Sequence, residues 1–170
     1  MEFYEVLENR HSSRSFLDKE IEQQKLGKVL KATMSAPSAG NLQAYKIYLV
    51  NSKDAKAELV AACAYQDFLS QAPTVLVFCA DVKRSSTKYE DRGELYAQQD
   101  ASIAASYCQL AASAEGLSSV WVGAFDPLEV SRIISADPYL VPVAIVPIGY
   151  SGEKPEKSTR RPPSEILSEV

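Results

Sequence analysis

The stretch that decides the fold is Thr-Val-Leu-Val-Phe-Cys-Ala, at residues 74–80. It is a continuous apolar run of strand length and β-branched character, which is typical of a central strand covered on both faces. Outward from it, the sequence predicts strands over residues 45–50 and 142–150, and another in residues 119–125 that ends at Gly123. We therefore expect a sheet built around residues 74–80.

Helices are predicted before and between these strands. Residues 2–9 carry an apolar face at helical spacing, residues 22–35 form a second helix that ends before Pro37, and residues 54–64 form an Ala-rich third. Residues 81–98 are highly charged and have little hydrophobic periodicity. We expect a mobile connection or an exposed helix there, with a lid over a pocket as the functional alternative.

The most distinctive predicted helix covers residues 100–115, because small and apolar residues occupy almost all of its faces. Gly116 follows where a C-terminal capping glycine belongs. A helix without a polar face must be buried. Small residues also let backbones approach closely, so this helix is either the centre of the domain or crosses its own copy in a dimer.

Length and composition indicate one domain over residues 1–170, since 46% of the residues are hydrophobic and 24% are charged. The polar tail, from about residue 151 to 170, cannot form a core of its own. We therefore expect it either to have no fixed position or to wrap around a partner subunit. The net charge is −4 and the basic residues form no stripe, which argues against nucleic-acid binding.

The rare residues and the N-terminus exclude further classes. Cys63, Cys79 and Cys108 are far apart in apolar surroundings, which is typical of reduced core thiols; a reactive thiol is the minor alternative. With one histidine, we expect no metal site. The N-terminus is acidic and no apolar tract is long enough to span a bilayer, so we expect a cytoplasmic protein without a membrane partner.

Two polar segments carry the functional signal. Residues 10–14, Arg-His-Ser-Ser-Arg, combine cations and hydroxyls that suit a phosphate. Residues 36–43, Ala-Pro-Ser-Ala-Gly-Asn-Leu-Gln, predict a turn. The amides of Asn41 and Gln43 can match a planar ring edge that alternates C=O, N–H and C=O. FMN has both a phosphate and such an edge, although residues 10–14 alone are also typical of solvated surface and residues 36–43 alone of an ordinary loop.

The order and spacing of several motifs, from residue 3 to about 167, resemble the nitroreductase family of flavoproteins. The resemblance implies an α+β fold with a mostly antiparallel central sheet flanked by helices, an intertwined homodimer, and two FMN sites at the dimer interface. Besides residues 10–14 and 36–43, the motifs are Ala72-Pro73, Asp100, Gly116-Leu117, Trp121-Val122-Gly123, Ile148-Gly149-Tyr150 and Arg160.

Carried over by position, the resemblance implies that Arg10, Ser12 and Arg160 contact the FMN phosphate. Arg14 then lies near N1 and O2 of the isoalloxazine ring. His11 stands where a second arginine is common in the family, and because an imidazole titrates near neutrality, FMN affinity is expected to depend on pH.

The same resemblance places a second group of residues around the flavin ring. Pro37, Ser38 and Asn41 would come from the other subunit, while Gln43 is equally a flavin neighbour or an ordinary strand-start residue. The backbone at Val122 and Gly123 would face the flavin near N5, because a residue without a side chain permits close approach.

Two departures from the family pattern concern the strand before Trp121 and the tail. Ser118-Ser119 replaces the more usual glycine-containing pair, a change interpreted as structural. In the tail, either Arg160 or Arg161 aligns with the family's phosphate-binding arginine, and Arg160 is favoured.

The implied activity is that of an FMN-dependent NAD(P)H oxidoreductase. Hydride passes from NADH or NADPH through flavin N5 to a nitroaromatic, a quinone or a similar small acceptor in a ping-pong cycle, and no catalytic side chain is required. The alternatives are another flavoenzyme chemistry on the same fold, such as dehalogenation, ene reduction or flavin breakdown, and non-catalytic binding of flavin or a nucleotide. Arg84 and Arg92 could read a 2′-phosphate, but neither lies in a recognisable motif.

Overall fold

A four-stranded antiparallel sheet organises the chain, for which a computed structural model describes residues 2–155 and 158–170. In spatial order its strands are β1 (Tyr45–Val50), β2 (Thr74–Asp81), β4 (Leu140–Gly149) and β3 (Ser118–Ser119). The helices are α1 (Phe3–Asn9), α2 (Gln23–Thr33), α3 (Lys53–Ala62), α4 (Phe68–Gln71), α5 (Val82–Tyr89), α6 (Gly93–Ala114) and α7 (Pro127–Ile133). This arrangement confirms the predicted α+β class with an antiparallel sheet.

Strand β2 lies inside the sheet and is buried on both faces, as its sequence predicts. Val75 and Val77 belong to a core cluster with residues of α3, α4 and α7. Leu76 and Phe78 belong to the opposite cluster, with residues of α2 and α6. Side chains alternate along the strand and therefore enter two apolar layers, which explains the unbroken apolar sequence from Val75 to Ala80.

Helix α6 is longer than predicted and is not buried all round. It begins at Gly93 rather than at Asp100, and it ends where Gly116, at φ 73°, adopts the expected left-handed conformation. One face packs on the sheet, but Leu95, Ile103 and Tyr107 are exposed in the single chain. Apolar residues on its outer face thus remain without cover from this chain.

The prediction of a mobile connection over residues 81–98 is wrong, and the exposed-helix alternative is correct. The segment holds α5, a 3₁₀ turn at Glu90–Arg92 and the start of α6. Helix α5 begins where it does because the Asp81 side chain accepts a hydrogen bond from the Arg84 N–H, at 2.9 Å.

The predicted strand over residues 119–125 is mostly wrong. Only Ser118–Ser119 pairs as a strand, followed by a single bridge between Val122 and Ile145. The chain must then leave the sheet, because the Asp126 side chain accepts hydrogen bonds from the N–H groups of Leu128 and Glu129 and so starts α7. The short helices α4 and α7 had no counterpart among the predicted elements.

Candidate functional site

The basic segment, residues 10–14, is held in place by its backbone. Arg10 ends α1, and its N–H donates to the Val6 carbonyl at 3.0 Å. Ser12 forms a parallel bridge with Ser119, and the Ser13 N–H donates to the Ser119 carbonyl at 3.1 Å. Attachment to the short strand β3 fixes the path of the segment without using the charged side chains.

Three of the predicted site residues come together in one cavity. Arg10, His11 and Arg160 line a space of about 520 Å³ between α1 and the tail, which Glu8 also lines. This volume is within the roughly 300–1,000 Å³ typical of ligand pockets. Within the described ranges, neither Arg10 nor Arg160 takes part in an ion pair. The cavity therefore has cationic groups that are not neutralised by a contacting carboxylate.

His11 contributes a polar atom that needs a partner. Its Nδ1–H donates to the Asn9 carbonyl at 3.0 Å. Its Nε2 is buried, and among residues 2–155 and 158–170 it has no hydrogen-bond partner. Because a buried polar atom without a partner is costly, this nitrogen favours a bound water or a ligand oxygen. His11 also lines a second, water-sized cavity with Gln109 and Ser113.

Three other residues predicted to bind FMN do not line the 520 Å³ cavity: Ser12, Arg14 and Arg161. All three are exposed. The Arg14 N–H donates to the Glu153 carboxylate at 2.6 Å, and the Ser13 hydroxyl donates to the same oxygen at 3.2 Å. Glu153, which the sequence analysis did not single out, therefore ties the start of the tail to the basic segment.

The second candidate region is the amide turn, which we define as residues 38–43. Gly40, Asn41 and Gln43 all have positive φ, between 48° and 57°, a conformation that glycine and asparagine tolerate best. The Gln43 N–H donates to the Ser38 hydroxyl at 2.9 Å, and the Gln43 side-chain amide donates to the Asn41 carbonyl at 2.8 Å. Pro37, Asn41 and Gln43 are exposed, so this tightly bonded turn presents its outer edge to solvent.

The carboxylate of Asp100, on α6, holds the amide turn in place. One carboxylate oxygen accepts the Ala39 N–H at 2.8 Å and the other accepts the Ala44 N–H at 3.2 Å. The side chain is buried, with 2% of Asp100 exposed. A buried carboxylate that accepts two backbone N–H bonds makes strong, charge-assisted contacts. The sequence marked Asp100 as a helix start, but the structure shows it inside the helix as a clamp on the turn.

The loop at Val122 and Gly123 has less free backbone than predicted. Val122 is buried, and its N–H and C=O both bond to Ile145, at 2.9 and 3.0 Å. Gly123 is exposed, so of the two it alone can present backbone to a ligand. The next residue, Ala124, accepts a hydrogen bond from the Gln66 side chain at 3.3 Å, which holds the loop against the end of α3.

The cysteines contribute no nucleophile. All three thiols are buried and free. Burial raises the pKa of Cys63 to about 11 and the pKa of Cys79 and Cys108 to about 12. Since the thiolate is the reactive form, these residues act as core side chains at neutral pH.

The basic segment and the amide turn lie apart within one chain. No residue of the amide turn lines the 520 Å³ cavity at the basic segment. The single chain thus has a cavity that suits an anion and, elsewhere, a polar surface that suits the edge of a planar ring.

Comparison with known proteins assigns the fold to a family. The model of the Nitroreductase family matches residues 7–66 and 56–150, which together cover most of the chain. The chain belongs to the nitroreductase family. Residues 10–14 and 36–43 and the four strands of the sheet all lie within the matched ranges.

Relatives of this nitroreductase-family chain include both curated proteins and solved structures. The FMN reductase [NAD(P)H] of Bacillus subtilis is 28% identical over 97% of this chain and 72% of its own length. The NADH dehydrogenase of Thermus thermophilus is 27% identical over 93% of this chain and 91% of its own length. The structure of NfrA2 from B. megaterium superimposes with a TM-score of 0.91 at 26% identity, covering 99% of this chain and 74% of that one. Among the helices of the described ranges, none has the length and apolar character to cross a membrane.

Proposed function

We propose that this protein is an FMN-dependent NAD(P)H oxidoreductase that reduces a nitroaromatic, a quinone or a similar small electron-poor acceptor. The observation that carries the proposal is the convergence of Arg10, His11 and Arg160 on one cavity of about 520 Å³. Family membership and the relative named FMN reductase [NAD(P)H] support it.

The residues at the cavity fit the phosphate end of FMN. Two guanidinium groups match phosphate geometry, and both can donate more than one hydrogen bond. His11 lines the same cavity, so its ring is a third polar group beside the two guanidinium groups. Together these groups meet the charge and hydrogen-bonding needs of an anion.

We assign the phosphate to Arg10, Ser12 and Arg160. His11 lines the same cavity as Arg10 and Arg160, and Ser12 is the next residue of the basic segment. We assign Arg14 to the pyrimidine edge of the flavin ring, where its charge lies close to N1 and O2. Of the two tail arginines we assign Arg160 and not Arg161, because Arg160 lines the cavity and Arg161 does not.

The amide turn supplies the ring contacts from a second copy of the chain. Its exposed Pro37 and Asn41, with Ser38, form a surface that this chain's own basic segment does not contact. A partner subunit that brings the turn over the flavin unites the two regions. Gln43 is a weaker candidate, since its side chain already donates to Asn41.

Bound FMN supplies a hydride acceptor at N5, which relays electrons from NADH or NADPH to the acceptor. The protein's part is binding and electrostatics. Arg14 places a positive charge where negative charge accumulates upon reduction, and exposed Gly123 leaves room beside N5. No side chain of the site has to act as nucleophile, acid or base.

We also propose a homodimer. Leu95, Ile103 and Tyr107 form an exposed apolar stripe on α6, and Ile166 and Leu167 of the tail are exposed as well. A second copy that covers these surfaces would bury them and bring each amide turn to the other subunit's cavity. Light scattering at micromolar concentration is expected to give the dimer mass, and a monomeric mass would contradict the proposal.

The test of the activity is a visible spectrum of the purified protein before and after anaerobic NADH or NADPH. We expect flavin absorbance that bleaches with the nicotinamide and returns when a quinone is added. Flavin absorbance that neither nicotinamide bleaches would contradict the reductase and favour a flavin-binding protein. Protein that is colourless and does not take up added FMN would contradict the site itself.

A further inference from the structure

Helix α5 places two cations directly against the amide turn. The Arg84 Nε donates to the Leu42 carbonyl. A Cβ placed on Gly40 would lie 2.5 Å from the Lys88 Nζ, so the ammonium group sits over this glycine. Because residues four apart share a helix face, Arg84 and Lys88 together form a cationic wall along the turn.

This wall is not neutralised by a contacting carboxylate. Both side chains are exposed, and neither takes part in any ion pair in the described portion of the chain. Among the acids close in sequence, Asp81 accepts the Arg84 backbone N–H at the start of the helix, and Glu90, two residues after Lys88, forms no ion pair with it. In a protein of net charge −4, two such cations beside a polar turn create a local site for an anion.

Aromatic rings adjoin the cations. The Tyr89 hydroxyl lies beside Gly40, 2.6 Å from the position of an added Cβ. The Tyr89 ring meets the Tyr96 ring edge to face at 4.8 Å between centroids, and the Arg92 guanidinium lies 4.9 Å from the Tyr96 centroid. Cations next to aromatic side chains suit a nucleotide, because a cation can bind its phosphate and an aromatic ring can stack on its base.

The helix that carries the wall is rigidly placed. A Cβ on Gly93, the first residue of α6, would lie 2.5 Å from the Ser86 Cα. Only glycine permits this approach of the two helices. The backbone of α5 is therefore held against α6, which also holds the amide turn through Asp100, so the helix positions that carry Arg84 and Lys88 are set by packing.

We propose that Arg84 and Lys88 bind the adenosine 2′-phosphate of NADPH and so make this chain select NADPH over NADH. The inference rests on the proposed function, because it takes the amide turn to border the flavin. It adds a specificity site on α5, whose one arginine, Arg84, lies in no recognisable sequence motif.

The test is isothermal titration of the FMN-loaded full-length protein with 2′,5′-ADP and with 5′-AMP, which differ only by the 2′-phosphate. We expect native protein to bind 2′,5′-ADP more tightly. Lys88→Ala should weaken 2′,5′-ADP about fivefold and leave 5′-AMP nearly unchanged, as expected for loss of one exposed charge contact. Lys83→Ala is the matched control: both lysines are on α5 and lie over a tyrosine ring, Lys83 over Tyr139 and Lys88 over Tyr89, but the atoms nearest Gly40 include Lys88 and not Lys83.

Arg84→Lys keeps the charge but changes the contact with Leu42, and should cost less 2′,5′-ADP affinity than Arg84→Ala. Steady-state kinetics should show a higher KM for NADPH in Lys88→Ala with an unchanged KM for NADH. Equal affinity of native protein for the two nucleotides, or equal effects of Lys88→Ala and Lys83→Ala, would overturn the inference.

Failure of the inference and failure of the proposed function give different results. If NADPH bleaches bound FMN but Lys88→Ala binds 2′,5′-ADP as native protein does, only the specificity site is wrong. If the protein takes up no FMN, the same titrations on the flavin-free chain still report the phosphate site, and a Lys88-dependent preference for 2′,5′-ADP would support it without the reductase.

Discussion

The basic segment and the amide turn represent two ways of preparing a binding surface. In the turn, side chains and backbone bond mainly to one another, with Asp100 accepting two backbone N–H groups from below. In the basic segment, the backbone is fixed by Ser119 and Glu153, while the Arg10 and His11 side chains face a cavity. The hydrogen bonds of the turn are made within the chain, whereas the cationic side chains of the basic segment need an anion supplied from outside.

This difference predicts opposite responses to mutation. Changes in the support of the turn should lower the stability of the whole protein, because the turn's bonds are internal. Changes in the cationic side chains should leave stability nearly unchanged and weaken ligand binding, because their partners are supplied from outside.

The largest effect is expected for Asp100→Ala. Two backbone N–H groups lose their acceptor, one of them on fully buried Ala44, which should cost about 3 kcal/mol in the free energy of unfolding. For a chain of this size that corresponds to a fall in Tm of roughly 6–12 °C. Asp100→Asn retains one acceptor oxygen and should lose about half as much. A thermal melt of Asp100→Ala within a degree of native protein would show that the turn does not depend on this clamp.

Arg10→Ala should act on the ligand instead. Loss of a charge-assisted contact in a half-buried position is expected to cost about 2 kcal/mol, or roughly a 30-fold increase in the Kd for FMN, measured by fluorescence quenching. The matched control is Arg132→Ala, which removes a cation paired with Glu58 and Glu129 on a different surface. If both variants bind FMN equally well, the cavity is not the phosphate site.

A smaller effect should separate the two tail arginines. Arg160 lines the cavity but is exposed, so Arg160→Ala should weaken FMN by about 1 kcal/mol, or roughly fivefold. Arg161→Ala should leave the Kd for FMN unchanged, because Arg161 does not line the cavity. The reverse result would mean that the tail binds FMN in another register.

The sequence predicted those features whose cause is local. Strand β2 follows from its apolar run, and the end of α6 follows from Gly116, because both patterns act within a few residues. The polar segments 10–14 and 36–43 could likewise be singled out as candidate binding segments, because their residue types and order along the chain are local properties of the sequence.

What the sequence did not predict depends on distant partners. Asp100 is 61 positions from Ala39, and Glu153 is 139 positions from Arg14, so no local pattern indicates either contact. The strand expected over residues 119–125 failed for a related reason: its apolar residues suit a strand, but the Asp126 cap and the pairing with β4 decide where it ends. Local propensity yields to tertiary contacts in such segments.

The last and smallest expected effect concerns Arg14 of the basic segment. Its side chain is exposed, and we assign it to the flavin ring rather than to the phosphate. In FMN-loaded Arg14→Ala, loss of a cation worth about 1 kcal/mol should lower the two-electron reduction potential by roughly 20 mV, because negative charge on N1 and O2 is then less stabilised. Arg14→Lys should keep the native potential. An unchanged reduction potential in Arg14→Ala would mean that the basic segment binds only the phosphate. Stabilisation of negative charge on the flavin ring would then have to come from the partner subunit's amide turn.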